Sequence, residues 1–217
     1  DGSQPTKGAF LYENPLRIDK SCILKAVSYL PSGLASDELS KEVVVNKATF
    51  KPIHLQNAPS ERYQGEDGKV LVDGVRSINF HNTGLWVGYH AADMIATIDL
   101  EYPQEINAVE VSALTDLSAW IMGPQSISVY ISSNGKRYKM VAHKTYQALT
   151  DAMGEKSSDL HRLSFKKSAS ARFVKVIAVP FKGLPKGHSG ENEPPFLFID
   201  ELSLIHISEP TRLRRIS

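Results

Sequence analysis

Asp200 and Glu201 form the one adjacent carboxylate pair whose placement invites a catalytic reading. Glycoside hydrolysis uses two carboxyl groups, one as acid and one as base or nucleophile, on either side of a scissile bond. Neighbouring residues on a strand point to opposite faces. The pair is therefore expected to end a strand, with one carboxyl tied to loops or to a cation, rather than to flank a bond. His81 and His90 are nine residues apart, which is not a metal-ligand spacing on a helix. No Gly-rich loop opens a helix to cradle phosphate, and no Gly-x-Ser-x-Gly elbow occurs. The single cysteine, Cys22, excludes an internal disulfide and a cysteine-built metal cage. The remaining chemistry lies in loops: Trp86 with Tyr89 and His90, Trp120 beside Asp116 and Ser118, and His188, Asn192 and Glu193 in a Gly/Pro-rich stretch over 180–195.

The elements that must position these loops read as strands. Residues 22–29 and 42–45 are short apolar runs separated by Pro31-Ser32-Gly33, with turn signals every 8–12 residues, as in a β-sandwich. Residues 47–68 hold Pro52, Pro59, Gly65 and Gly68 among many polar residues and read as a linker. Beyond them, 94–100, 106–111, 127–132, 136–141, 160–165, 171–179 and 196–201 read as strands, several with period-two alternation. Asn134-Gly135 suits a tight hairpin in which both central residues take positive φ. With no helical period of comparable strength, the fold class is all-β, and a jelly-roll antiparallel sandwich fits the longer region.

Composition sets the outer limits. The 217 residues are 41% hydrophobic and 23% charged, enough to bury a core and unlike a disordered chain. No apolar run is long enough to span a membrane. Twenty-five Lys and Arg against 24 Asp and Glu give a net charge of +1, which offers no footprint for nucleic acid or anionic lipid.

Both ends read as cut. Asp1-Gly2-Ser3 is turn chemistry with no strand before it, so the first region is expected to begin inside a hairpin, and the lack of a leader there carries no information. Leu202 to Arg212 resembles a translated transposase adapter from sequencing libraries, so 202–217 is expected to be a non-native tail. The other reading is a native last strand followed by a basic tail. Without these residues, which hold three Arg and one Glu, the net charge is −1.

Asp1-Gly2-Ser3-Gln4-Pro5-Thr6, followed by Leu11-Tyr12 and Ile23-Leu24-Lys25-Ala26-Val27-Ser28, resembles the small C-terminal sandwich of bacterial chitobiases and β-hexosaminidases. Residues 1–46 are then a truncated Ig-like sandwich. Residues 69–201 resemble a discoidin-like (F5/8 type C) sandwich of the galactose-binding-like fold. The matching positions are Leu71-Val72-Asp73-Gly74, Trp86, Ala96-Thr97-Ile98-Asp99-Leu100, Ile106-Asn107-Ala108-Val109, the run from Val129 to Lys136, and Phe173-Val174-Lys175-Val176. Glu101 departs from the pattern, standing where glycine is usual. The order of modules is similar to the tails of family-20 β-N-acetylhexosaminidases from Bacteroidetes-like bacteria. The resemblance implies an accessory region of such a hydrolase, periplasmic, cell-surface or secreted, packed beside its own catalytic domain. The His-x-Gly-Gly-Asp-Glu context of that catalytic barrel is absent, so the chain itself is expected not to hydrolyse.

The same resemblance implies a glycan with terminal galactose or N-acetylhexosamine as ligand, while the charge balance leaves no nucleic acid partner expected. Sugars stack an apolar face on an aromatic ring while a few polar groups fix hydroxyls. Trp120, with Tyr89, His90 and His188, are the candidate binding residues. Trp86 fits better as a core plug, and Trp120 reads equally as platform or plug. The family often holds a structural Ca²⁺ through loop carbonyls, an early Asp and a Glu on the last strand, here Asp73 and Glu201. An Asx-type turn at Asp73-Gly74 is the equal alternative. The other function class is a structural module that packs on the catalytic barrel and binds no sugar.

Overall fold

A computed structural model of the chain describes residues 3–77, 81–149 and 156–206. Among the described residues there are two antiparallel sheets, one of two strands and one of seven. In the first region β1 (Cys22–Ala26) pairs with β2 (Leu39–Val43), Cys22 opposite Val43 and Ala26 opposite Leu39. No described residue before Ala48 is buried.

The second region is a sandwich organised by two very long strands. After β3 (Ile53–Leu55) and β4 (Val87–His90), β5 runs from Met94 to Thr115. Then come β6 (Ser126–Ser132), β7 (Lys139–Thr145), β8 (Ser157–Val179) and β9 (Phe196–Ile205). Residues 94–99 of β5 pair with 173–178 of β8, and β3 and β6 extend this layer on either side, with β7 beyond β6. Residues 108–115 of β5 pair with 157–164 of β8 on one edge and with β9 on the other, and β4 closes on β9. Each long strand therefore passes through both layers. The break in register between Asp99 and Gln104, with Glu101 at φ 70°, marks where β5 crosses. The inward faces of both layers supply one core that includes Met94, Ile98, Val109, Val129, Val174 and Leu202.

Four expectations are corrected here. The strands expected at 94–100 and 106–111 are one strand, as are those at 160–165 and 171–179; polar residues at the crossing mimic a break. Residues 47–68 are not a free linker: β3 pairs with β5 at Ile53↔Ile98, and Ala48 is fully buried. The hairpin after β6 is wider than a two-residue turn. Only Gly135 takes positive φ, and the loop is held by side chains: Ser132 Oγ accepts the Asn134 and Gly135 N–H groups, and Asn134 Oδ1 accepts those of Lys136 and Arg137. Finally, Leu202–Ile205 continue β9, pairing with Val111–Ala108, and Leu202, Ser203 and Leu204 are buried. The proposed tail boundary thus falls inside a core strand, because Leu202 and Leu204 alternate inward as the preceding residues do. Residues 207–217 lie outside the described residues.

Candidate functional site

The loop after β5 is clamped at its base. Asp116 N–H donates to Ile121 O and Ile121 N–H to Asp116 O, each at 3.0 Å. Inside this bridge Leu117–Ala119 form one 3₁₀ turn, and Trp120 N–H donates to Leu117 O at 2.9 Å. Trp120 must then take φ 62°, ψ 33°, the left-handed region that bulky residues avoid. Such a conformation costs on the order of 1–3 kcal/mol and persists only where neighbours enforce it. The enforcement is visible. Leu117 is buried against Met122 and Leu184, and Phe196 N–H donates to Trp120 O at 2.8 Å. Asp116 accepts Ser118 Oγ–H at 2.6 Å and pairs with Lys156 at 2.7 Å. Burial works to raise the Asp116 pKa, but Lys156 and Ser118 outweigh it and hold the carboxyl below its usual value.

The result is an indole 39% exposed, braced from the side by the 180–195 loop. His188 meets the Trp120 ring edge-on, centroids 5.8 Å apart at 82°. Gly190 N–H donates to His188 Nδ1 at 3.0 Å, so the ring carries its hydrogen on Nε2 and donates it to Leu117 O at 2.8 Å. His188 thereby ties its own loop to the turn that carries Trp120. Gly190 lies directly against the indole: a Cβ there would come within 2.6–2.8 Å of the six-membered ring. His90 lies on the other flank of Phe196. It stacks on the Phe196 ring (4.7 Å, 29°), with Nε2 3.1 Å from Pro194 O.

Trp120, His188 and His90 thus border one loop cluster, but Tyr89 does not. It is 1% exposed, its Oη donates to Asn57 O at 3.1 Å, and burial pushes its pKa up to about 12. Alternation along β4 sends Tyr89 inward when His90 points out. Trp86 is a core residue, buried with Leu114, Ile121 and Phe198. Gly190 and Phe196 were missed by sequence reasoning. Neither carries a polar group, and their roles depend on contact with residues 70 or more positions away.

The acidic candidates form a second centre. Asp200 and Glu201 are 0% and 1% exposed, out of reach of any substrate. Strict alternation fails between them: Glu201 lies opposite Ser112 and Ile199 opposite Ala113, leaving Asp200 as the extra residue of a β-bulge. Both carboxyls consequently reach the 74–77 segment. Glu201 Oε2 accepts Gly74 N–H at 3.0 Å, and Asp200 Oδ2 accepts Ser77 N–H. Glu201 Oε1 accepts Asn46 Nδ2–H at 3.1 Å and Ser203 Oγ–H at 3.2 Å. Asp73 Oδ1 accepts Val75 N–H at 2.7 Å, the Asx turn. Burial pushes Asp73 and Asp200 to about 6 and Glu201 to about 8, with the Asp73 charge adding to the Glu201 shift. Asp200 Oδ1 is buried without a hydrogen-bond partner. An excess of buried acceptors suits a hard cation. However, among the described residues no three His, Cys, Asp or Glu side chains converge at metal-binding geometry. A Ca²⁺ held by Asp73 and Glu201 would draw most of its oxygens from backbone carbonyls.

Comparison with known proteins follows the same division of the chain. The Fn3 associated family matches residues 1–43, and the F5/8 type C domain matches residues 56–186. No curated protein matches. Similar solved structures include chitosan-binding module 1 from a chitosanase/glucanase of Paenibacillus sp. IK-5, at 11% identity and TM-score 0.48, covering 75% of this chain and 99% of that one. A Streptococcus pneumoniae fucose binding module shares 19% identity at TM-score 0.48, covering 75% and 96%. A fucolectin from striped bass (Morone saxatilis) serum shares 16% identity at TM-score 0.49, covering 73% and 47%. With the family match spanning more than half its length, and with the jelly-roll sandwich expected of that family, the chain belongs to the F5/8 type C domain family.

Proposed function

We propose that this chain is a non-catalytic carbohydrate-binding region whose sugar contact is the loop end built on Trp120. One observation carries the reading: a tryptophan locked into a left-handed backbone conformation, braced by His188 and Gly190, with its ring left partly open. The bracing holds the ring at the loop end, with part of its surface left open to a ligand. Trp120 supplies the stacking surface, and His90 and His188 border it. Terminal galactose or N-acetylhexosamine is the ligand class. The module order supports a parent of the family-20 β-N-acetylhexosaminidase type, periplasmic, cell-surface or secreted, whose catalytic domain this region would hold near its substrate by tethering. A structural Ca²⁺ at Asp73 and Glu201 belongs to the same proposal.

Calorimetric titration with galactose, N-acetylgalactosamine and N-acetylglucosamine tests it. Saturable binding is expected, weakened about tenfold in Trp120→Ala, the equivalent of about 1.4 kcal/mol for one lost ring contact. No heat with any of the three sugars at millimolar concentration sinks the reading.

The alternative, a bracing module that binds no sugar, has one specific observation in its favour. Phe10, Leu11 and Tyr12 are 80, 73 and 69% exposed, an apolar run suited to a packed neighbour. It predicts an unaltered affinity for glycans when residues 3–45 and the sandwich are both removed from a longer parent, with lowered stability of what remains.

A further inference from the structure

The near-neutral total charge conceals a polarised chain. Between Leu117 and Gly190 there are twelve Lys and Arg against three Asp and Glu; the remainder carries thirteen against 21. The fold gathers much of that excess at one place. β7 pairs only with β6, and residues 157–170 of β8 pair only with β5, so among the described residues each presents an unpaired edge. A cleft of about 570 Å³ lies between them, lined by Met140, Val141, Ala142, His143 and Lys144 of β7 and by Arg162, Leu163, Ser164 and Lys166 of β8. That volume is within the range of about 300–1,000 Å³ usual for ligand clefts.

The charge along this cleft has one sign. Lys144 lies over the Tyr146 ring at 5.0 Å, and Arg162 Nη1 pairs with Glu110 Oε1 at 3.1 Å while staying 41% exposed. Lys166 has no ion pair among the described residues, nor do Lys139 and Lys167 along the same two strands. Edge strands often carry a lysine that blocks pairing with another sheet. That role needs one or two charges, and it does not need a cleft with an apolar floor of Val141, Ala142 and Leu163.

We propose that this cleft is a second glycan site, separate from the loop end, and that it takes an acidic sugar chain bearing carboxylate or sulfate groups. The cations of Lys144, Arg162 and Lys166 meet the anionic substituents, and the apolar floor meets the C–H faces of the sugar rings. A single-stranded nucleic acid is the lesser fit, since no Phe, Tyr or Trp lines the cleft to stack a base, and His143 is the one aromatic ring there. The proposal does not depend on Trp120, because no residue lines both sites.

The test titrates the full chain with hexagalacturonate and with a chondroitin sulfate hexasaccharide, which separate carboxylate from sulfate recognition. A DNA oligonucleotide of equal charge serves as competitor. Binding of at least one hexasaccharide is expected, falling about tenfold between about 50 and 200 mM salt as two to three counterions are released. Lys144→Glu with Lys166→Glu should abolish it while leaving the melting temperature unchanged. Lys20→Glu with Lys69→Glu, the same charge change on exposed residues elsewhere, should retain most of it, and Trp120→Ala should retain all of it. Absence of binding at low salt, equal loss in the two double variants, loss in Trp120→Ala, or tighter binding of the DNA each overturns the proposal.

Discussion

The β1–β2 sheet and the β3–β9 sandwich are built from similar alternating strands, yet only one of them has an interior. In the first, Leu39 of β2 is 54% exposed and Ile23 of β1 is 49% exposed. In the second, Ile98, Val109, Val174 and Leu202 are all at 0%. Alternation places apolar side chains on one face of a sheet, but burial requires a second layer to receive that face. A two-stranded ribbon alone is marginal in water. The sandwich has its second layer because β5 and β8 are long enough to serve both sheets, so each strand brings its own packing partner. The first region is held mainly through its last residues. Val44 N–H donates to Gly74 O, and Asn46 bonds Glu201 and Ser203 through its amide nitrogen and accepts Leu204 N–H.

The largest test of this contrast is a matched pair of truncations. Leu202→Ala should destabilise the fold by about 2–5 kcal/mol, as buried Leu→Ala changes do, whereas Leu39→Ala should stay within about 0.5 kcal/mol. Urea unfolding of both variants measures it. Near-equal effects would mean that β9 ends before Leu202 in solution, or that β2 has a core of its own.

A smaller effect comes from the acidic centre that joins the two regions. Glu201 keeps its proton in the folded chain up to about pH 8, whereas its ordinary value is 4.5; Asp73 and Asp200 keep theirs to about 6 against 3.8. Between these limits the folded state binds more protons than the unfolded one. The contribution is therefore full below the ordinary value and is lost as pH rises through the folded one. Asp99, held low by its bond to Arg172, acts in the opposite sense but below about pH 4, and His161, which burial holds below its ordinary 6.5, opposes the fall only in the acid part of the range. The urea midpoint should fall from pH 5 to pH 8 in the native chain, and Glu201→Gln should flatten that fall. If Ca²⁺ occupies the centre, added Ca²⁺ should raise the midpoint more at pH 8 than at pH 5. A midpoint that climbs with pH in metal-free buffer contradicts the assignment.

How much of this was legible in the sequence depends on how local the cause is. Strand content and the sandwich follow from alternation and turn residues and were readable. The unity of β5 was not, because Glu101, Tyr102, Pro103 and Gln104 carry a break signal, while the chain uses them to cross between layers. Trp120 was readable as a loop aromatic, but its conformation comes from the Asp116–Ile121 clamp, which only pairing creates. Tyr89 was misplaced because β4 is only four residues long, too short for the alternation that turns Tyr89 inward and His90 outward to show in the sequence. The basic cleft was hidden by summing charge over the whole chain, although the counts between Leu117 and Gly190 were available.

The central claim, that the loop end captures a sugar on Trp120, has a direct optical test. Trp86 is 1% exposed and Trp120 is 39% exposed, so acrylamide quenching of tryptophan fluorescence reports mainly on Trp120. Saturating N-acetylgalactosamine or galactose should protect the native chain from quenching. The same sugars should protect Gly190→Ala far less, because its new methyl displaces the ring without removing any polar contact. Quenching that is identical with and without sugar in the native chain would contradict the account.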